Sequence, residues 1–208
     1  MNSSACPRLP CRDIIFARGD RMTDKSSIEI VDKGIVDIAA DAIVNAANGA
    51  LQEGGGVCGV IFAKAGPEQL QAACDKIGRC DTGSAVITPA FGCPAKYIIH
   101  AVGPVWSDGS NGEREKLYGA YKKSLELCRD NGIRSVVFPL ISAGIFGCPV
   151  KDAWEQAIYA CKNFMNANPD YKIRIVFAIP AKSADGRKKF DVGNEILARE
   201  LPASDAHP

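Results

Sequence analysis

The residues best placed to do chemistry in this chain are mostly ones without side chains. Gly54-Gly55-Gly56-Val57 follows Asn45-Ala46-Ala47-Asn48-Gly49, and Ser142-Ala143-Gly144-Ile145-Phe146-Gly147 follows an apolar run over 136–141. Bare glycine lets the main chain approach a ligand closely and take positive φ. A glycine loop that opens into a helix also aims N–H groups at an anion. Neither stretch carries the Gly-Lys-Ser/Thr of a nucleotide-triphosphate loop, and neither is the Gly-x-Gly-x-x-Gly of dinucleotide folds. Taken singly, each could be a tight joint between loop and helix. Taken together, at neighbouring strand ends, they could grip the two phosphates of one pyrophosphate from either side, with Phe146 offering an apolar face to a sugar. The sequence gives no metal signature. The nine cysteines include no Cys-x-x-Cys pair, and the two histidines are His100 and His207, whereas a structural zinc site brings paired ligands at short spacing. Most of the thiols fall on apolar faces, where free cysteine acts as a small hydrophobe.

Loops of this kind need strands before them and helices after them. Runs at 28–31, 42–44, 84–88, 96–102, 135–141 and 173–179 are rich in β-branched residues. Because several are apolar on successive residues, they suit central strands covered on both faces. Helical periodicity marks 57–65, 67–76, 113–130 and 151–166, with a last helix expected at 193–200. Strands separated by helices predict parallel crossovers and an α/β fold, a three-layer α/β/α sandwich around a mostly parallel mixed sheet. Residues 28–200 read as one domain, 1–27 as an extension in which 13–17 could add an edge strand, and 201–208 as a tail. The 208 residues are 47% hydrophobic and 24% charged, which excludes wholesale disorder, collagen-like and coiled-coil classes. With 25 Lys+Arg against 24 Asp+Glu, the net charge of +1 creates no field for nucleic acid or acidic membranes. No apolar run reaches the ~18 residues of a membrane span, and the N-terminus does not look like a signal peptide. A cytoplasmic monomer is expected.

In order and spacing, four segments resemble the macro domain family. They are Val44-Asn45-Ala46-Ala47-Asn48, Gly54-Gly55-Gly56-Val57, His100-Ala101-Val102-Gly103-Pro104 and Ser142-Ala143-Gly144-Ile145-Phe146-Gly147. Asp81-Thr82-Gly83-Ser84-Ala85 matches a further family segment, and the likeness runs from about residue 28 to 179. It is nearest the MacroD-like, O-acetyl-ADP-ribose deacetylase branch, which implies binding of ADP-ribose and hydrolysis of ADP-ribosyl esters without a cofactor or metal. The resemblance assigns Asn48 to the distal ribose, Asn45 to bracing the loop, and Gly54, Gly55, Gly56 and Val57 to the first phosphate and ribose loop. It assigns Ser142, Ala143, Gly144, Ile145 and Phe146 to the second loop, with Phe146 against the distal ribose. His100 is expected to be structural.

Two positions depart from the family pattern. Where the branch carries an aspartate credited with activating water, this chain has Cys58. A neutral thiol, with an ordinary pKa near ~8.5, is no substitute for a carboxylate base at neutral pH. Catalysis would then rest on Asn48, Gly56, residue 58 and the ligand's own pyrophosphate. Where the family places the aspartate that accepts from the adenine amine, the chain has Gly34, followed by Ile35, with Asp32 and Asp37 close by. The aromatic that often stacks on adenine aligns near Ile179. The expected function is hydrolysis of ADP-ribosyl esters on acidic protein side chains or of O-acetyl-ADP-ribose. A non-catalytic ADP-ribose reader and a binder of a different nucleotide-like ligand are the alternatives. The expected partner is ADP-ribose or an ADP-ribosylated protein, with neither membrane nor nucleic acid.

Overall fold

The computed structural model describes residues 25–201. The strand considered over 13–17, and nearly all of the expected extension and tail, lie outside the described residues. Six strands, β1 (Ser27–Val31), β2 (Ala42–Ala46), β3 (Ala85–Pro89), β4 (Tyr97–Ala101), β5 (Ser135–Phe138) and β6 (Arg174–Ala178), form one sheet in the order β1-β6-β5-β2-β4-β3. All neighbours are parallel except β3, which runs antiparallel along β4 at the edge. Five helices cover it: α1 (Val57–Ala65), α2 (Pro67–Ile77), α3 (Glu113–Asp130), α4 (Val150–Ala167) and α5 (Ala184–Glu200).

Side-chain alternation sorts the strands' residues into two cores. From β2, Ala42 and Val44 join Leu117, Tyr121, Trp154 and Ile196 under α3–α5, whereas Ile43 joins Ile61, Phe62 and Leu70 under α1 and α2. The result is the mixed α/β/α sandwich expected from the apolar runs.

Two boundaries differ most from the sequence expectation, and both differences shape the site. The fifth strand stops at Phe138 rather than 141, because Pro139 has no N–H for the ladder and the chain must then turn through Ser142 at φ 63°. The last helix starts at Ala184, nine residues before position 193. Ser183 caps it by accepting the Gly186 N–H at 3.0 Å. The polar run from Asp185 to Lys189, with Gly186 inside it, conceals the helical stripe. No helix among the described residues is long and apolar enough to cross a membrane.

Gly193 lies where α5 crosses the indole of Trp154. A Cβ there would come 2.5 Å from the ring and 2.9 Å from Ile30 Cδ1. Alanine in a helix interior gains ~1 kcal/mol over glycine, but overpacking a rigid core costs ~1–3 kcal/mol. A Gly193→Ala variant is therefore expected to melt lower than the parent. An equal or higher Tm in calorimetry would contradict this packing.

Candidate ligand-binding cleft

A cleft of about 510 Å³ opens above the carboxyl ends of β1, β6, β5 and β2, where ligands bind in open α/β sheets. The loop after β2 and the loop after β5 form its two lips. The lips face each other closely: a Cβ added on Gly55 would lie 3.3 Å from Ile145 Cδ1. Ile145 itself is 80% exposed. Gly56 enters α1 at φ 63°, and Gly147 leaves the second loop at φ 73°. Main-chain bonds from Gly147 N–H to the Gly144 carbonyl (2.9 Å) and from Cys148 N–H to the Ser142 carbonyl (2.9 Å) curl the second loop. Among the described residues, the N–H groups of Gly55, Gly56, Gly144, Ile145 and Phe146 have no main-chain partner, leaving donors for an anion.

Neighbouring segments hold both lips in place. Ser142 Oγ donates to the Pro104 carbonyl at 2.8 Å, and Gly103 beside it leaves the room that Ser142 fills. Trp106 N–H donates to the Phe146 carbonyl at 2.7 Å. On the first lip, Gln71 from α2 accepts the Glu53 N–H at 3.0 Å and donates to the Leu51 carbonyl at 3.3 Å. Leu51 takes φ 58° and is only 1% exposed, so apolar burial offsets its strained backbone.

Asn48 lines the cleft. Its Nδ2 donates to the Gln52 carbonyl at 2.7 Å, and its Oδ1 accepts the Gln52 N–H at 3.1 Å. Those bonds orient the amide and leave one N–H and one lone pair for a ligand. Cys58, in the first turn of α1, lies beneath Asn48 and Gly54 and is 4% exposed. Burial pushes its thiol pKa up, and hydrogen bonds from Asn45 and Gly54 only partly offset this. The group is a neutral thiol at pH 7. No group of three or more His, Cys, Asp or Glu among the described residues could hold a metal.

The family model described as Macro domain matches residues 44–157. The chain belongs to the macro domain family. Over 145 residues it is 47% identical to the O-acetyl-ADP-ribose deacetylase of Escherichia fergusonii, covering 68% of this chain and 81% of that protein. A solved Oceanobacillus iheyensis macrodomain with ADP superposes with a TM-score of 0.74 at 32% identity, covering 88% of this chain and 96% of the other. A Trypanosoma brucei macrodomain in complex with ADP-ribose gives 0.71 at 32% identity, over 79% and 67%.

In this macro domain, Ile35, Asn48, Gly54, Gly55, Gly56, Val57, Cys58, Ser142, Gly144, Ile145, Phe146 and Ile179 all line the cleft, whereas Asn45 and Ala143 stand behind its wall. Gly34 lines it too, and the space a side chain there would enter is partly taken by the Asp37 carboxylate, 2.5 Å from the position of a Cβ. Asp32 does not face the cleft. It accepts the Ala181 N–H at 2.7 Å and pairs with Arg187 at 3.9 Å, tying the end of β1 to the end of β6. Sequence reasoning missed Asp185 and Lys189 of α5, which line the far end. The one visible signal was Ser183, a helix-capping residue ahead of the polar run.

Asn45 and His100 face each other across β2 and β4 in register, on the side of α1 and α2. Asn45 Nδ2 donates to His100 Nδ1 at 3.2 Å and approaches Cys58 Sγ at 3.6 Å, while His100 Nε2–H donates to Thr88 Oγ1 at 2.9 Å. This chain of polar groups links the sheet interior to the base of the first lip. Burial holds the His100 pKa down at about 4, from an ordinary 6.5. The unfolded chain therefore takes up the proton first, so this group's contribution to stability is full above pH 6.5 and falls as the pH drops toward 4. Between pH 7.5 and 5 the loss amounts to ~2 kcal/mol. Urea unfolding at both values is expected to show that loss in the parent and a flatter dependence in His100→Gln. Equal slopes would mean His100 titrates normally.

Proposed function

We propose that the cleft binds ADP-ribose and that the macro domain hydrolyses ADP-ribosyl esters, either mono-ADP-ribose on acidic protein side chains or O-acetyl-ADP-ribose. The observation that carries this reading is the pair of facing glycine lips, whose N–H groups without main-chain partners can surround a pyrophosphate without any basic side chain. The ADP and ADP-ribose named for the solved macrodomains, and the deacetylase named among the relatives, support the ligand and the reaction class.

On this reading the pyrophosphate lies between Gly55–Gly56 and 144–146, and the distal ribose lies against Phe146 and the amide of Asn48. Water adds to the ester carbonyl, the acyl–oxygen bond to the ribose breaks, and the ribose hydroxyl leaves with the proton. Cys58, neutral and buried, takes no proton in that sequence, so a phosphate oxygen of the ligand orients the water. Catalysis then comes from positioning, which can contribute several kcal/mol without an acid–base residue. The buried thiol equally favours a second reading, a reader that binds ADP-ribose without turnover.

Calorimetry with free ADP-ribose tests the ligand, and the expected result is saturable heat at micromolar concentration. No heat at millimolar concentration would refute this use of the cleft. Incubation with a protein mono-ADP-ribosylated on glutamate tests turnover. Release of ADP-ribose is expected, and binding without release would favour the reader.

A further inference from the structure

Among the described residues lining the cleft, the charged side chains are those of Asp185 and Lys189, one turn apart on α5. They lie at the β1–β6 end, away from the glycine lips, beside Gly34, Ile35 and Ile179. Lys189 is nearly buried, with 17% of its side chain exposed, and its ammonium is paired with Asp185 Oδ2. Its main-chain carbonyl accepts from Trp154 Nε1 at 2.8 Å, which fixes that turn of the helix to the core. The Asp185 side chain is 68% exposed, so one carboxylate oxygen is held by lysine and the other is free to accept. Ile35 and Ile179 also line the cleft, and position 34, a glycine, adds no side chain to it.

From this placement we infer that Asp185 is a specificity-determining residue for the nucleobase of the ligand, with Lys189 as its positioning residue. The inference rests on the ADP-ribose reading above and names what reads the base. The free carboxylate oxygen accepts from an exocyclic amino group, and the Lys189 ion pair stops that carboxylate from swinging into solvent. A purine with a 6-amino group is preferred, while a 6-oxo purine turns a lone pair toward the carboxylate and is disfavoured. A charge-assisted hydrogen bond at a partly wet rim supports a preference of roughly tenfold.

The test is calorimetric titration with ADP-ribose and with its hypoxanthine counterpart, inosine diphosphate ribose. The parent is expected to prefer ADP-ribose roughly tenfold. In Asp185→Asn, whose amide can turn either a donor or an acceptor to the ring, the two affinities should converge while the inosine ligand binds within about threefold of the parent. Lys189→Met should lose most of the preference, and Lys189→Arg should regain it. Melting temperatures of the three variants identify any that fail to fold, and Asp185→Ala provides a second removal of the carboxylate. A parent that binds ADP-ribose but shows the same base preference in Asp185→Asn and Asp185→Ala would overturn the inference and leave the ADP-ribose reading standing. A parent that binds neither ligand would overturn both.

Discussion

A Gly55→Glu variant should lose at least ~100-fold in affinity for ADP-ribose while keeping its fold. The Cα of Gly55 forms part of the inner wall of the first lip, and a Cβ there meets only the tip of Ile145, at 3.3 Å. Because Ile145 is 80% exposed, it can move aside, and the cost to folding is small. The glutamate carboxylate would then stand among the N–H groups proposed to hold the pyrophosphate. Two unit charges about 4 Å apart repel by ~4 kcal/mol at a partly buried site, and one such contact already corresponds to more than 100-fold in affinity. Calorimetry of the variant, with its melting temperature as control, checks the result. Unchanged affinity in a folded variant would mean that the phosphates bind away from the first lip.

The architecture was legible because its signals are short-range. Successive apolar residues at 42–44 and 136–138 announce strands covered on both faces, and the stripe Leu117, Tyr121, Leu125 and Cys128 announces α3 over its full length. The glycine lips were legible for a related reason, since two glycine stretches, each between a strand and a helix, leave bare main chain at neighbouring strand ends. What stayed hidden depends on tertiary neighbours. The first half of α5 is held by a serine cap and by Trp154 bonding to the Lys189 carbonyl, not by an apolar stripe of its own. Asp185 and Lys189 therefore could not be placed at the cleft until the helix was seen to begin beside it. Asn45, which the resemblance assigns to bracing the loop, faces His100 and the core beneath α1, because strand alternation sends residues 43 and 45 to the same side.

Those positions divide the labour in the molecule. No charged side chain of the two lips lines the cleft, so the phosphates proposed there would meet main-chain donors, while the polar groups Thr88, His100 and Asn45 lie inside the sheet beneath the first turn of α1. Asn45 Oδ1 has no partner among the described residues. Leaving such an atom buried costs ~1–3 kcal/mol, a cost borne at the residue whose amide contacts Cys58.

Restoring a carboxylate at that position should raise turnover of ADP-ribosyl esters by ~10²–10⁴, the usual contribution of a positioned general base. A Cys58→Asp side chain would inherit the donors now directed at the thiol, the Asn45 amide at 3.6 Å and the Gly54 main chain. Both favour an ionised carboxylate, whereas burial and the nearby Glu53 oppose it, as they already do for the thiol. Cys58→Ala separates the remaining possibilities. If positioning and the ligand's phosphate carry the reaction, alanine keeps the parent rate within several-fold, because a neutral thiol was contributing no proton transfer. A drop of ~10³ or more in Cys58→Ala, with ADP-ribose affinity intact, would show that sulfur takes part in the chemistry despite its raised pKa. Single-turnover release of ADP-ribose from a glutamate-modified protein reads the parent and both variants on one scale. Should Cys58→Asp bind ADP-ribose as tightly as the parent and yet turn over no faster, the water would not lie against residue 58, and the ester would sit elsewhere along the lips.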